Sequence, residues 1–327
     1  MRAALGLAVG VGLLTAMFAW RGIDAVAGLL LEAGAAMLLV CLFDPPAQLL
    51  SAESWRSLFP KDSRPLRRRI FPASWMGSAV NSLLPVATIG GEIVKARVLI
   101  LWSHPGTVTA AAMTVDKTVQ AIAVVLWGLI GAAILVAAVG GSDIALGILA
   151  GAALLIVGIA GFIAVQVKGG FSAMARKIAR FIDADGDLAL VENAEAMERV
   201  MREIYRHPGR ILWATALRLL ERVLLAGEIV LVAHLMGAPM GIAEAVILKG
   251  VIGAIRGMAF AVPGGLGVQE GGYVAIGALM GMSPDLMIAL SLATRVREIA
   301  PSIPLIALWQ AVEGRALMRR RAGKAGR

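Results

Sequence analysis

The chain has 327 residues, of which 59% are hydrophobic and only 16% charged, with a mean hydropathy of +0.81. A soluble domain needs about a quarter of its residues charged, and disorder needs low hydrophobicity, so both are excluded. The 31 Lys and Arg against 22 Asp and Glu leave a formal charge of +9, which in so oily a chain points to membrane spans with basic cytoplasmic loops rather than to nucleic acid.

In chain order, residues 3–19 form a first apolar span between Arg2 and Arg21. A cleaved leader is disfavoured, because no small-residue cleavage site follows and a second span begins at once. That span, 25–43, carries a lone Glu32 and ends at Asp44, Pro45 and Pro46. Residues 44–60 mix polar and apolar types and are expected along the membrane interface, followed by a basic stretch at 61–69. Residues 119–139 and 144–167 are charge-free and long enough to cross a bilayer, which takes about 20 apolar residues. The polar segment 168–210 predicts amphipathic surface helices. Residues 211–236 form a span holding Arg218, Glu221, Arg222 and Glu228, and 286–312 a last span holding Arg295, Arg297 and Glu298.

Of the 31 Lys and Arg, 21 lie in Arg2, the 44–69 loop, the 168–210 segment and the tail, while Arg21 alone falls on the opposite side. Both termini are therefore expected in the cytoplasm. Two stretches are left over. Residues 71–102 begin and end on the cytoplasmic side, and 241–282 on the outer side. Each breaks at Pro and Gly near its middle, as a re-entrant hairpin would. An ordinary kinked pair that spans twice is the other reading.

The two breaks repeat each other. Pro85 precedes Glu92 by seven positions, and Pro263 precedes Glu270 by seven. Lys117 follows Glu92 by 25, and Arg295 follows Glu270 by 25. Broken helices recurring in opposite orientations are the mark of an inverted repeat whose binding site lies near the midplane. The glycines allow tight turns, and the helix after each turn aims free N–H groups into the interior. The candidate binding and transport residues are Asn81, Pro85, Gly90, Gly91, Glu92 and Lys117 in the first half. Their counterparts in the second are Pro263, Gly264, Gly265, Gly267, Glu270 and Arg295.

Each Glu could instead merely cap its own helix. Ionisable groups inside a membrane are nonetheless costly and usually mark a pathway. Asp116 and Glu298 are candidate partners of the two cations. Arg218, Glu221 and Arg222 share a helix face and belong either to the same polar interior or to a helix–helix salt bridge. Lys95 and Arg97 are expected to snorkel to headgroups. Lys249 and Arg256 fall on a face expected to be buried, and Glu32 has no assigned partner.

One cysteine, Cys41, precludes an intrachain disulfide. His104, His207 and His234 have no metal-ligand spacing, and no Walker loop, G-x-S-x-G or H-E-x-x-H occurs. No metal or other cofactor is expected.

The motifs L-L-P-x4-G-G-E and V-P-G-G-L-G-V-Q-E-G-G resemble the membrane domain of the lysylphosphatidylglycerol synthase/flippase family, over nearly the whole chain. Arg295 to Ile299 and the L-W-Q-A-V-E-G-R ending resemble its hopanoid-biosynthesis-associated branch. The resemblance implies a flippase-like lipid translocase or lipid-export protein of the bacterial inner membrane. It would move a polar lipid such as a hopanoid, with membrane lipids and lipid-biosynthesis or export proteins as partners. No aminoacyl-transfer domain follows, so synthase activity is not expected. Val86 to Ile89 fill the gap where many members carry an Arg, which puts a phosphate clamp there in doubt. An intramembrane lipid-modifying enzyme, with Glu92 and Glu270 as a carboxylate pair, and a non-catalytic partner of a biosynthetic complex are the alternatives.

The expected fold is an all-α polytopic membrane protein, with about six transmembrane helices and two re-entrant hairpins in one domain, 1–327. Its parts are two spans and a basic loop (1–69), a first repeat (70–167), the amphipathic segment (168–210), a second repeat (211–313) and a basic tail (314–327).

Overall fold

The computed structural model describes residues 34–83, 90–140, 142–174, 187–258 and 267–325. After a 3₁₀ segment at Gly34–Phe43 come eleven helices and, among the described residues, no strand. They are α1 (Asp44–Leu58), α2 (Arg67–Leu83), α3 (Gly90–Leu101), α4 (Gly106–Val139), α5 (Ser142–Val167) and α6 (Asp187–Tyr205). The second half adds α7 (Pro208–Leu235), α8 (Ile242–Met258), α9 (Val268–Leu279), α10 (Pro284–Ile299) and α11 (Ser302–Ala325).

Local chemistry sets the ends. Pro45 and Pro46 open α1, where a missing N–H costs nothing. Ser283 caps α10 through its hydroxyl, which accepts from the Leu286 amide at 3.3 Å. Gly140, at φ +72°, ends α4.

The halves recur in register. Gly90 and Val268, Leu101 and Leu279, and Gly106 and Pro284 are each 178 residues apart, so α3 and α9 have equal lengths and α4 and α10 equivalent starts. Packing recurs as well: α8 lies along α4, and α11 lies along α2. At the same offset, Ala123 continues α4 where Pro301 separates α10 from α11. The expected span 286–312 is therefore two helices, because Pro301 removes a donor and clashes with the preceding turn.

Glycines permit the closest contact. A Cβ on Gly131 would come within 2.9 Å of the Val246 carbonyl oxygen, and one on Gly250 within 2.8 Å of that of Trp127. Helices that meet in lipid associate through such small-residue faces.

Two polar segments pack against the bundle. Residues 44–58 form α1, packed against α7 and α2, with Trp55 and Leu58 fully buried. In the polar segment, α6 packs on α4 and buries Met201 and Ile204 completely. By length and apolarity one described helix, α4, can cross a membrane, and 153–167 is a shorter apolar stretch. The charges in α7 and the split at Pro301 remove two expected spans from that test. The span 3–19 and residues 25–33 lie outside the described residues.

Candidate functional site

The first cluster is built on the α2–α3 hairpin. Asn81 of α2 accepts the Gly91 amide at 2.8 Å and so ties the start of α3 to its neighbour. Gly77 and Gly91 meet so closely that a Cβ on either would overlap the other's carbonyl oxygen. One turn of α3 then presents Glu92 and Lys95 together. The Glu92 carboxylate pairs with Lys95 Nζ at 2.5 Å and with Lys117 Nζ of α4 at 2.6 Å. Lys95 also reaches Asp116 at 2.9 Å and stands 4.7 Å over the Trp55 ring. Asp116, fully buried, receives Arg218 of α7 through both oxygens at 2.9 and 3.0 Å. Arg218 further donates to Ser51 at 2.6 Å and to Glu221 at 3.3 Å. Gln120 bridges Lys117 and Asp116.

These groups border a cavity of about 370 Å³. Helix α1 contributes Gln48 and Ser51; α2 contributes Ser74, Ser78 and Asn81; α7 contributes Arg218, Glu221 and Arg222. Four cations, Lys95, Lys117, Arg218 and Arg222, face three carboxylates, Glu92, Asp116 and Glu221. The excess falls on Arg222. Its Nε is buried without a hydrogen-bond partner, and among the described residues it makes no ion pair within 4 Å. A buried donor left unmatched costs about 1–3 kcal/mol, more when charged, so the cavity favours an occupant carrying acceptor oxygens.

The second cluster is a network of ion pairs. Glu270 caps its own helix, accepting the Gly267 amide at 2.7 Å, and binds Arg295 Nε at 2.5 Å. Gly267 has φ +74°, a left-handed conformation that disfavours any Cβ. Arg256 holds Glu298 at 3.0 and 3.2 Å and Gln269 at 2.8 Å. Glu228 of α7, fully buried, lies between Lys249 at 3.0 Å and Arg297 at 2.9 Å. Arg297 continues to Asp44 at 3.0 Å, and Asp44 accepts Trp75 Nε1 at 2.6 Å. Four cations (Lys249, Arg256, Arg295, Arg297) balance four carboxylates (Asp44, Glu228, Glu270, Glu298).

The structure thus joins Glu92 to Lys117 and Glu270 to Arg295, places Asp116 and Glu298 beside them, and sets Arg218, Glu221 and Arg222 at the first cluster. Glu92 and Glu270 do not meet, since each is bound within its own cluster, so they form no carboxylate pair. Lys95 does not snorkel; it is 4% exposed and bridges two carboxylates. Arg97 is outward and pairs with Glu313 of α11. Pro85, Pro263, Gly264, Gly265 and Glu32 lie outside the described residues. Sequence reasoning missed the Asp44–Arg297–Glu228–Lys249 chain and the polar wall of α1. Asp44 and Pro45 read there only as the end of a span.

No curated protein and no solved structure matches the chain significantly. The family model for the lysylphosphatidylglycerol synthase TM region matches residues 3–304. The chain belongs to that family and is a helical membrane protein.

Proposed function

We propose that the chain is a flippase-like lipid translocase of the bacterial inner membrane with both termini cytoplasmic. A polar headgroup enters the cavity beside Glu92, Lys117 and Arg222 while its hydrocarbon stays in lipid. The observation that carries this reading is an ion-lined cavity of about 370 Å³ inside so apolar a chain. Helices α3 and α9 have 12 residues each and rise about 18 Å, less than the ~30 Å of a hydrocarbon core. Such lengths support re-entrant arms and a site near the midplane. Both Glu92 and Glu270 are held by cations, which favours transport over acid–base chemistry, so no enzymatic step is assigned.

A hopanoid-type polyol is the finer expectation from the family branch. Arg222 supports any headgroup that offers acceptor oxygens, whether hydroxyl or phosphate. The test is lipid flip-flop in proteoliposomes, with Glu92→Gln and Glu270→Gln alongside the parent. Flip-flop of a polar lipid that Glu92→Gln abolishes is the expected result. A purified protein that moves no polar lipid, and whose loss leaves the lipids of the outer leaflet and outer membrane unchanged, overturns the reading.

A further inference from the structure

A second hollow lies on the other face of α1. Gln48 and Ser51 face the ionic cavity, whereas Leu49, Leu50 and Glu53 line an apolar groove of about 750 Å³ between α1, α2 and α7. Phe71, Leu220 and Leu224 complete its wall. Leu49 and Leu220 are each 52% exposed, so the groove opens outward. Arginines border it. Arg67 is held by Glu53 at 3.0 Å, and Glu53 also binds Arg56 at 2.8 Å, so that carboxylate is already neutralised. Arg68, in the first turn of α2, lies exposed beside them, and no hydrogen bond or ion pair engages it among the described residues. The positive end of the helix adds to its charge.

An apolar slot bordered by a free guanidinium is complementary to an amphiphile with an anionic head. We infer that this groove is a separate binding site for one anionic diacyl phospholipid, with an acyl chain along Leu49, Leu50 and Leu220 and its phosphate at Arg68. Packed α1 and α7 stand between this groove and the ionic cavity, so the lipid here is not the one whose headgroup the cavity would hold. The inference rests on membrane embedding and not on transport.

The test titrates delipidated full-length protein with dioleoyl phosphatidylglycerol or dioleoyl phosphatidylcholine and counts bound lipid by native mass spectrometry. One phosphatidylglycerol is expected to remain bound, about fivefold more tightly than phosphatidylcholine, since one cation near a surface is worth about 1 kcal/mol toward an anionic lipid. Leu49→Trp or Leu220→Trp fills the groove from an exposed position and removes that lipid at unchanged melting temperature. Arg68→Gln keeps the lipid but erases the preference. Arg222→Gln leaves the bound lipid in place, which separates this site from the cavity. Equal retention by both Trp variants, no preference in the parent, or a dimer that shields the groove in place of lipid overturns the assignment.

Discussion

Lys117 Nζ lies 2.6 Å from Glu92 Oε1, and the same carboxylate holds Lys95 on its other oxygen. At an offset of 178 residues the pair returns as Arg295 and Glu270, 2.5 Å apart. The repeated pair sits in two different environments. Lys117 keeps a third of its side chain exposed at a cavity, whereas Glu270 is fully buried and also caps its own helix. Among the described residues, one copy of the motif borders a cavity and carries an excess cation, and the other lies in a charge-balanced network.

That asymmetry sets unequal outcomes for the same substitution. Glu270→Gln removes a carboxylate from Arg295 and weakens the cap, and breaking a buried pair costs about 3–5 kcal/mol. Glu92→Gln frees Lys117 toward the cavity, where water can solvate it, so its stability loss should be about half as large. Thermal unfolding of both variants in the same detergent checks this. Equal losses would mean that the two clusters are equivalent.

Arg222 gives the reverse pattern. Among the described residues it is the cation of this cavity with no ion pair within 4 Å, so Arg222→Gln should leave stability within about 1 kcal/mol of the parent, or raise it, by removing the excess charge. If a headgroup uses it, lipid flip-flop should fall at least tenfold, since a charge-assisted hydrogen bond is worth about 1.5–3 kcal/mol. Unchanged flip-flop with a large stability loss would make Arg222 structural.

Much of this arrangement was legible in the residues. Identical spacings from Glu to cation marked the two ion pairs, because an acid buried in so apolar a chain demands a cation. The partners of Lys95 were not legible. Its carboxylates are Glu92, one turn away, and Asp116, on another helix, and only the tertiary fold turns that face inward. Asp44 stayed hidden for a similar reason. Its partner Arg297 is 253 residues distant, and a carboxylate before two prolines reads equally well as a loop. The break at Pro301 was available from the sequence, and hydropathy overrode it.

The contact between α4 and α8 tests the packing directly. Gly250 faces the Trp127 carbonyl and Gly131, leaving no volume for a side chain. Gly250→Leu should therefore separate the helices and abolish a monodisperse fold, while Gly271→Ala, which meets nothing within 4 Å, should behave as the parent. Size-exclusion profiles of the two proteins decide it. A monodisperse Gly250→Leu protein would show that the glycine face is dispensable.

A solvated ion pair carries a weak expectation for stability. Arg97 of α3 reaches Glu313 of α11 with both nitrogens of its fork, but its side chain is 45% exposed. Pairs so solvated contribute about 0–1 kcal/mol, and salt screens them further. Arg97→Gln should shift the unfolding midpoint by no more than a few degrees, and the shift should vanish at high ionic strength. The same substitution removes the polar tie of α3 to α11 and leaves the apolar contact of Val94 and Val98 with Ile306, Trp309 and Val312 in place. If α3 moves during transport, flip-flop should change while the midpoint does not. Comparing midpoint and flip-flop rate at low and high salt separates the two roles. A large, salt-independent loss of stability would mean that the pair is an integral part of the packed core.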